Sequence, residues 1–284
     1  MAFASAAEHG FPEAQYTLAG MYYNGEGAPR DFNLAAKWFG LAASKGHVRA
    51  QCSLGSMYYS GEGLDQNFKE AAHWFRLAAE QGHAKSQFSL GAMYHNGEGV
   101  PQNVALAADW FTLAAQQGFT DAQYHLGQMY HDGDGIALDL LKAADLFRRA
   151  AEHGHAIAQC SLGAMYYHGH GLLKNIKAAL LWSRRAADQG LALAQYNLGR
   201  MYHEGEENTL DYAEALHWYK AAAEQGNADA KYALGVMYHL GQGIQPDLLG
   251  AYNWFDLAAA EGLETGAVSR DIIWLEMGQR ASHQ

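Results

Sequence analysis

Cysteine is nearly missing from this chain: its 284 residues carry two, Cys52 and Cys160. Both hold the same register of a repeat, three copies apart. Stacked helices lie roughly 8–10 Å apart, so three steps put these thiols far beyond the ~7 Å Cα limit of a disulfide. They are expected as buried, unpaired thiols. Basic residues are scarce as well, 19 against 30 acidic for a formal net charge of -11. That balance repels phosphate backbones and anionic lipid and offers none of the basic clustering of nucleic-acid binders, so nucleic acid is set aside as a partner. No apolar run approaches the ~18 residues that cross a bilayer, and no membrane insertion is expected. Residues 1–10 lack the basic start and long apolar middle of a signal peptide. Because Phe3, Ala6, Ala7 and Gly10 fall in phase with the second half of the repeat, the chain reads as starting inside one. A natural cap or the removal of upstream sequence, a leader included, would fit that start, which leaves cytoplasmic and periplasmic or secreted locations open.

The signatures of catalysis are also missing. The chain has no H-E-x-x-H, C-x-x-C, G-x-S-x-G or P-loop, so neither an enzyme nor a bound cofactor is expected.

What is present is one 36-residue pattern repeated seven times without insertion, over 11–46, 47–82, 83–118, 119–154, 155–190, 191–226 and 227–262. Each copy reads roughly A-Q-Y-x-L-G-x-M-Y-x-x-G-x-G, then Asp or Asn, then A-x-x-W-F-x-x-A-A-x-x-G. A fixed period of 20–50 residues marks stacked supersecondary units in which each unit contacts only its neighbours. In the first half of a copy, apolar residues fall at positions 4, 8, 11 and 12, as in Ala14, Leu18, Met21 and Tyr22, the spacing of one helix face. This helix A is expected to stop at a Gly present in every copy, Gly25 through Gly241, where a C-terminal cap enters the left-handed region. Helix B is expected to start at the Asp or Asn of position 21, Asp31 through Asp247, whose side chain accepts from the first free N–H groups for ~1 kcal/mol each. Glu70 and Glu214 have the spacing of a capping box. The apolar face of helix B, Ala71, Trp74, Phe75 and Ala78 in the second copy, combines small residues for close approach with rings that fill the space between pairs. The fold class is therefore all-α: an α/α superhelical solenoid of seven helix-turn-helix repeats, with a partial N-terminal repeat at 1–10 and a C-terminal capping helix at 263–284. Val268, Ile272 and Leu275 give that last helix an apolar stripe, with Arg270, Asp271, Glu276 and Arg280 on other faces.

The combined signature closely resembles the Sel-one-like repeat family, relatives of the tetratricopeptide repeat, over about nine-tenths of the chain. Departures are Leu146 in place of Trp, Ser183 and Tyr219 in place of Phe, and Glu207 in the Gly-x-Gly loop of the sixth copy, where a reshaped loop and not a lost repeat is expected. The resemblance implies an adaptor in protein complexes: endoplasmic-reticulum quality control in eukaryotes, and signalling, envelope or host-interaction roles in bacteria. A cysteine-rich bacterial subgroup linked to β-lactam binding has a disulfide in each repeat. This chain lacks those cysteines and any Ser-x-x-Lys, so that activity is not carried over.

Positions that vary between copies are freed from packing. In helix A these are 3, 7, 10 and 14, one continuous stripe. Tetratricopeptide-like stacks line their concave side with helix A, so the expected partner-binding residues are Gln128 and Arg200 at position 10 and Ser60, Asn96, Asp132, His168 and Glu204 at position 14. Beside them run the Tyr or His residues of position 13, among them Tyr59, His95, His131, Tyr167 and His203. Such a surface suits an extended peptide or a partner helix. Position 13 equally suits a packing role that closes helix A against its loop. Two alternatives stay open: a metal or small-ligand site, or an enzyme, at His168 and His170 with Asp132, and a self-associating structural spacer. The partner is an unidentified protein or peptide, and a monomer is favoured.

Overall fold

The computed structural model describes residues 2–281, with side chains from 5 to 280. Residue 1 and residues 282–284, the outer ends of the expected partial repeat and capping helix, lie outside the described residues. The described residues form sixteen α-helices and no strand. They fall into two compact units, 1–146 and 147–284. The first holds α1 (Ala2–Glu8), α2 (Pro12–Asn24), α3 (Phe32–Ala43), α4 (Val48–Ser60), α5 (Phe68–Glu80), α6 (Ala84–Asn96), α7 (Val104–Gln116), α8 (Thr120–Asp132) and the start of α9 (Leu140–Glu152). The second holds the rest of α9, then α10 (Ala156–His168), α11 (Ile176–Asp188), α12 (Ala192–Glu204), α13 (Tyr212–Glu224), α14 (Ala228–Leu240), α15 (Leu248–Ala260) and α16 (Glu264–Ala281). Within a unit an A helix packs on the B helix that follows it and on the one before it, as α4 does on α5 and α3, and α12 on α13 and α11. The fold is an all-α solenoid of helix hairpins.

Local chemistry explains the helix ends. All seven position-21 residues cap helix B through their side chains: Asp31 accepts from Leu34 N–H, Asn67 from Lys69 and Glu70, and Asp139 from Lys142. The return half of a capping box is pre-empted, because the Asn67 and Asp211 N–H groups donate to the Tyr58 and Tyr202 carbonyls instead. Glu214 accepts from Trp218 Nε1 and Arg184 rather than serving its own cap. Helix A carries caps that the spacing did not announce. The imidazoles of His47, His83 and His155 accept at Nδ1 from the N–H three residues on.

The core is built from the expected positions. In the second copy Ala50, Leu54 and Met57 of helix A and Ala71, Phe75 and Ala78 of helix B are each at most 4% exposed, while Trp74 is half-buried at the rim. Position 5 joins them as a buried amide. In the first unit Gln15, Gln51, Gln87 and Gln123 donate to the carbonyls of Ala7, Ala43, Ala79 and Ala115, at the end of the preceding B helix. Gln159 and Gln195 do the same to Ala151 and Ala187 in the second. Each of these carbonyls also accepts from the Gly N–H three residues on, so the amide is a second donor to a helix-end carbonyl and ties one copy to the one before it. A second amide closes the pair within a copy: Gln81 donates to Gln51 at 2.8 Å and Gln189 to Gln159 at 2.8 Å. In the last copy Lys231 and Glu261 replace two amides with an ion pair.

The loop glycine at position 17 is held by sterics and dihedral together. Gly63 and Gly99 have φ near +70°, and a Cβ there would stand 2.5 Å from the Phe32 carbonyl and 2.2 Å from that of Phe68, respectively. The sixth copy has Glu207 instead, at φ 50° beside Asn208 at φ 65°, and its loop becomes a short 3-10 turn over Glu206–Asn208. The loop is reshaped and the hairpin survives. Cys52 and Cys160 are buried free thiols, and burial pushes both upward in pKa.

The last helix departs from expectation. Val268, Ile272 and Leu275, read as its apolar stripe, are 60%, 55% and 65% exposed, and Trp274 beside them is 63% exposed. The packed face is the one through Gly266, Ile273 and Met277. Gly266 lets α16 press on α15, since a Cβ there would meet the Ala259 nitrogen at 2.9 Å, and this close approach brings Ile273 and Met277 onto the core of α15.

Candidate interaction surface on the A helices

In the first unit the variable stripe of helix A opens into clefts. Positions 7 and 10 of the second and third copies carry only Ser53, Ser56, Ser89 and Ala92, too short to cover the rings beneath. A cleft of about 440 Å³ lies there, with Phe75 and Phe88 among its lining and Tyr59 and Ser60 at its side. A second, of about 240 Å³, collects His95, Asn96, Gln128 and Asp132, together with Asp134 and Phe111. Ala92 lines both. Six of the seven expected residues of this unit thus border two adjoining clefts. The seventh, His131, bonds Asp132 at 2.6 Å through Nδ1.

In the second unit the same stripe is occupied by its own side chains. Arg200 at position 10 lies over the Tyr167 ring at 5.5 Å, and its Nε stands 3.8 Å from the Glu204 carboxylate. Tyr167 donates its hydroxyl to Glu204. Burial foremost, then that carboxylate, holds the Tyr167 phenol well above its ordinary pKa. Lys174 approaches the Tyr167 ring at 5.6 Å. His168 stacks on His170 with centroids 5.4 Å apart, and burial, with the charges of Arg200 and His170, keeps His168 below the usual imidazole range. Among the described residues no three His, Cys, Asp or Glu side chains gather as a metal ion would need. His203 donates from Nε2 to the Gln242 amide oxygen and packs edge-on against Tyr212 and Tyr219.

Position 13 reaches beyond its own copy. Tyr23 donates to Glu62 at 2.7 Å, Tyr59 to Glu98 at 2.9 Å, and His95 Nε2 bonds Asp134 at 2.9 Å. In the second unit His203 meets Gln242 and His239 meets Glu276 at 3.1 Å. Each of these except His239 uses position 16 of the next copy, the middle residue of Gly-x-Gly, and each clasps one helix A to the following loop. The hydrogen bond to Glu98 raises the Tyr59 phenol, and that to Asp134 raises the His95 imidazole. Tyr59 and His95 therefore hold the stack with their polar atoms while their rings border the clefts. Sequence reasoning assigned position 13 but missed position 16. The one available signal was the acid or amide recurring there, as Glu62, Glu98, Asp134 and Gln242.

A family model for the Sel1 repeat matches seven times, over 12–47, 48–83, 84–119, 120–155, 156–191, 192–227 and 228–263. This chain belongs to the Sel1 repeat family. Among solved structures, a protective antigen present in uropathogenic Escherichia coli strains and displaying an SLR fold is similar at 36% identity and TM-score 0.92. That match covers 96% of this chain and 59% of the other, so this Sel1 repeat chain spans little more than half of the antigen's length. A Sel1 repeat protein from Oxalobacter formigenes is similar at 33% identity and TM-score 0.75, over 97% of this chain and 78% of the other. None of the curated proteins compared matches the chain. Among the described residues no helix is long and apolar enough to cross a membrane.

Proposed function

We propose that this Sel1 repeat protein is a non-enzymatic interaction scaffold that holds a segment of another protein against the A-helix stripe. The carrying observation is that Tyr59, Ser60, His95, Asn96, Gln128 and Asp132 border two adjoining clefts in the first unit, and that Ser60, Asn96, Gln128 and Asp132 stand at positions released from packing. Repeat stacks supply a surface, and function resides in the side chains they display. The antigenic character of the Escherichia coli relative, with the bacterial roles the family resemblance implies, favours a signalling, envelope or host-facing complex. The test is affinity capture from the source cell with wild-type chain and with Ser56→Arg plus Gln128→Arg. The expected result is a partner retained by the former and released by the latter at unchanged helicity. A partner held equally by both sinks the reading for this stripe.

A second reading, self-association, is favoured by the exposed Val268, Ile272, Trp274 and Leu275 on α16. Contiguous apolar surface of this kind marks association sites. Sedimentation over a range of concentrations decides it, and a strict monomer removes it.

A further inference from the structure

The two clefts of the first unit differ in chemistry, and the difference specifies an occupant. The larger is apolar at its base. Phe75 is 3% exposed as a residue yet contributes to the cleft wall, with Phe88 and Met93 beside it and the Tyr59 ring at the rim. Its volume of about 440 Å³ falls in the range of side-chain and ligand pockets. The smaller brings the carboxylates of Asp132 and Asp134 together with the amides of Asn96 and Gln128. His125 borders it too, while His95 bonds Asn96 Oδ1 through Nδ1 and Asp134 Oδ2 through Nε2, and His131 Nδ1 bonds Asp132 Oδ1. The second oxygen of each carboxylate and the Gln128 amide oxygen are the acceptors this small space offers to a donor-rich group. Guanidinium is the side chain that presents five donors in a planar fork and no acceptor.

Spacing supplies the rest. The clefts share the Ala92 wall and sit against successive A helices, α4 with α6 and α6 with α8. Neighbouring helices stand about 8–10 Å apart. In an extended chain, residues two apart point to the same side and lie about 7 Å apart, a gap that the long stem of arginine bridges.

We infer that the first unit binds an extended peptide segment of a partner protein bearing an aromatic residue and an arginine two positions apart, the ring in the Phe75–Phe88 cleft and the guanidinium between Asp132, Asp134 and Gln128. The inference rests on the scaffold reading above and narrows it. The net charge of -11 favours such a cationic segment over an acidic one. The second unit is not equivalent, because Arg200 already occupies the same position of its stripe.

The probes are fluorescein-labelled octapeptides of Gly and Ser carrying Phe and Arg two positions apart, in both orders, titrated by anisotropy with the full chain. Companion peptides replace Phe by Ala, Arg by Glu, or Arg by citrulline, which keeps the shape and removes the charge. The expected result is saturable binding in one order, weakened about ten-fold or more by each replacement, as charge-assisted and desolvated aromatic contacts require. Ala92→Arg should abolish binding with an unchanged circular dichroism spectrum and melting temperature, and Asp132→Asn should erase the preference for arginine over citrulline while keeping that for Phe over Ala. Absence of binding in either order at about 1 mM chain, the floor of specific affinity, overturns the inference, as does indifference to citrulline. If neither peptide binds while captured partner is still released by Ser56→Arg plus Gln128→Arg, this specificity is wrong and the scaffold reading stands. If the captured partner is also indifferent to those changes, both fall.

Discussion

The two units share a backbone pattern and differ along one surface stripe, most plainly at position 10. At position 10 the first unit has Gly20, Ser56, Ala92 and Gln128, and its A helices leave rings accessible in clefts. The second has Ala164, Arg200 and Val236, and Arg200 with Tyr167 and Glu204 makes an internal cluster on the same stripe. The stacking beneath is alike in both, through the position-5 amides and the caps of helix B. In this chain the stacking contacts and the open stripe are therefore carried largely by different positions of one repeat. Ala92 and Val236 rest on the core edge of their own copies, whereas Arg200 reaches over Tyr167 of the copy before it, so position 10 takes either kind of side chain.

The largest test of that separation strikes where the two meet. Phe111 is 2% exposed and also lines the acidic cleft. Phe111→Ala should cost about 3–5 kcal/mol, read as a shifted denaturant midpoint, because a core ring is lost with the cleft wall. A cost below about 1 kcal/mol would mean that the cleft is not anchored in the core.

The claim that stacking is the same in both units is sharpened by Gln51→Leu and Gln159→Leu. Each removes two hydrogen bonds, one to a helix-end carbonyl, Ala43 or Ala151, and one from the amide of Gln81 or Gln189, which keeps its bond to the Leu77 or Arg185 carbonyl. Each should cost about 1–3 kcal/mol, and the two costs should agree within about 0.5 kcal/mol. A clear inequality would break the symmetry argued here.

A smaller effect of opposite sign is expected at Ser183, which stands where other copies place an aromatic ring. Its hydroxyl is buried without a hydrogen-bond partner, facing Gly163. Ser183→Ala should raise stability by about 1 kcal/mol in thermal or chemical melts. A loss of stability would show that the hydroxyl is satisfied in solution.

The smallest concerns pH. The hydrogen bond to Asp134 raises the His95 pKa above its unfolded value. A raised folded pKa contributes stability that is fully present below the unfolded value of about 6.5 and is lost as pH rises through the folded one. His95→Gln should therefore lower the melting temperature more at pH 5.5 than at pH 8, and only slightly, since both partners are more than a third exposed. Equal losses at the two pH values would remove the charge from this clasp.

Much of the fold was legible before the structure. The apolar spacing of Ala14, Leu18 and Met21, the Asp or Asn at position 21 and the Gly at position 15 are local signals, and each acts within about four residues along one helix. What escaped was non-local. Gln51 bonds a carbonyl eight residues back and an amide thirty residues on, and Tyr59 bonds Glu98 thirty-nine residues on. Helical periodicity carries no information at those separations. The stripe of candidate residues was visible in its variability between copies. Its depth was not, because depth depends on which rings lie beneath a short side chain. On α16 the error came from reading hydrophobicity alone: Val268, Ile272 and Leu275 form a stripe, yet Gly266 and Ile273 face the core.

By itself, then, the sequence determined the number of hairpins, their helix limits and the caps of helix B, the burial of Ala, Leu, Met and Phe, and the positions free to vary. Those depend on short-range sterics and on a period that repeats seven times. Only the tertiary structure decided which free positions open into clefts, that position 13 clasps the next loop, and which face of α16 packs. Each of those outcomes is settled by side chains that meet across copies, where shape and hydrogen-bond geometry outweigh local pattern.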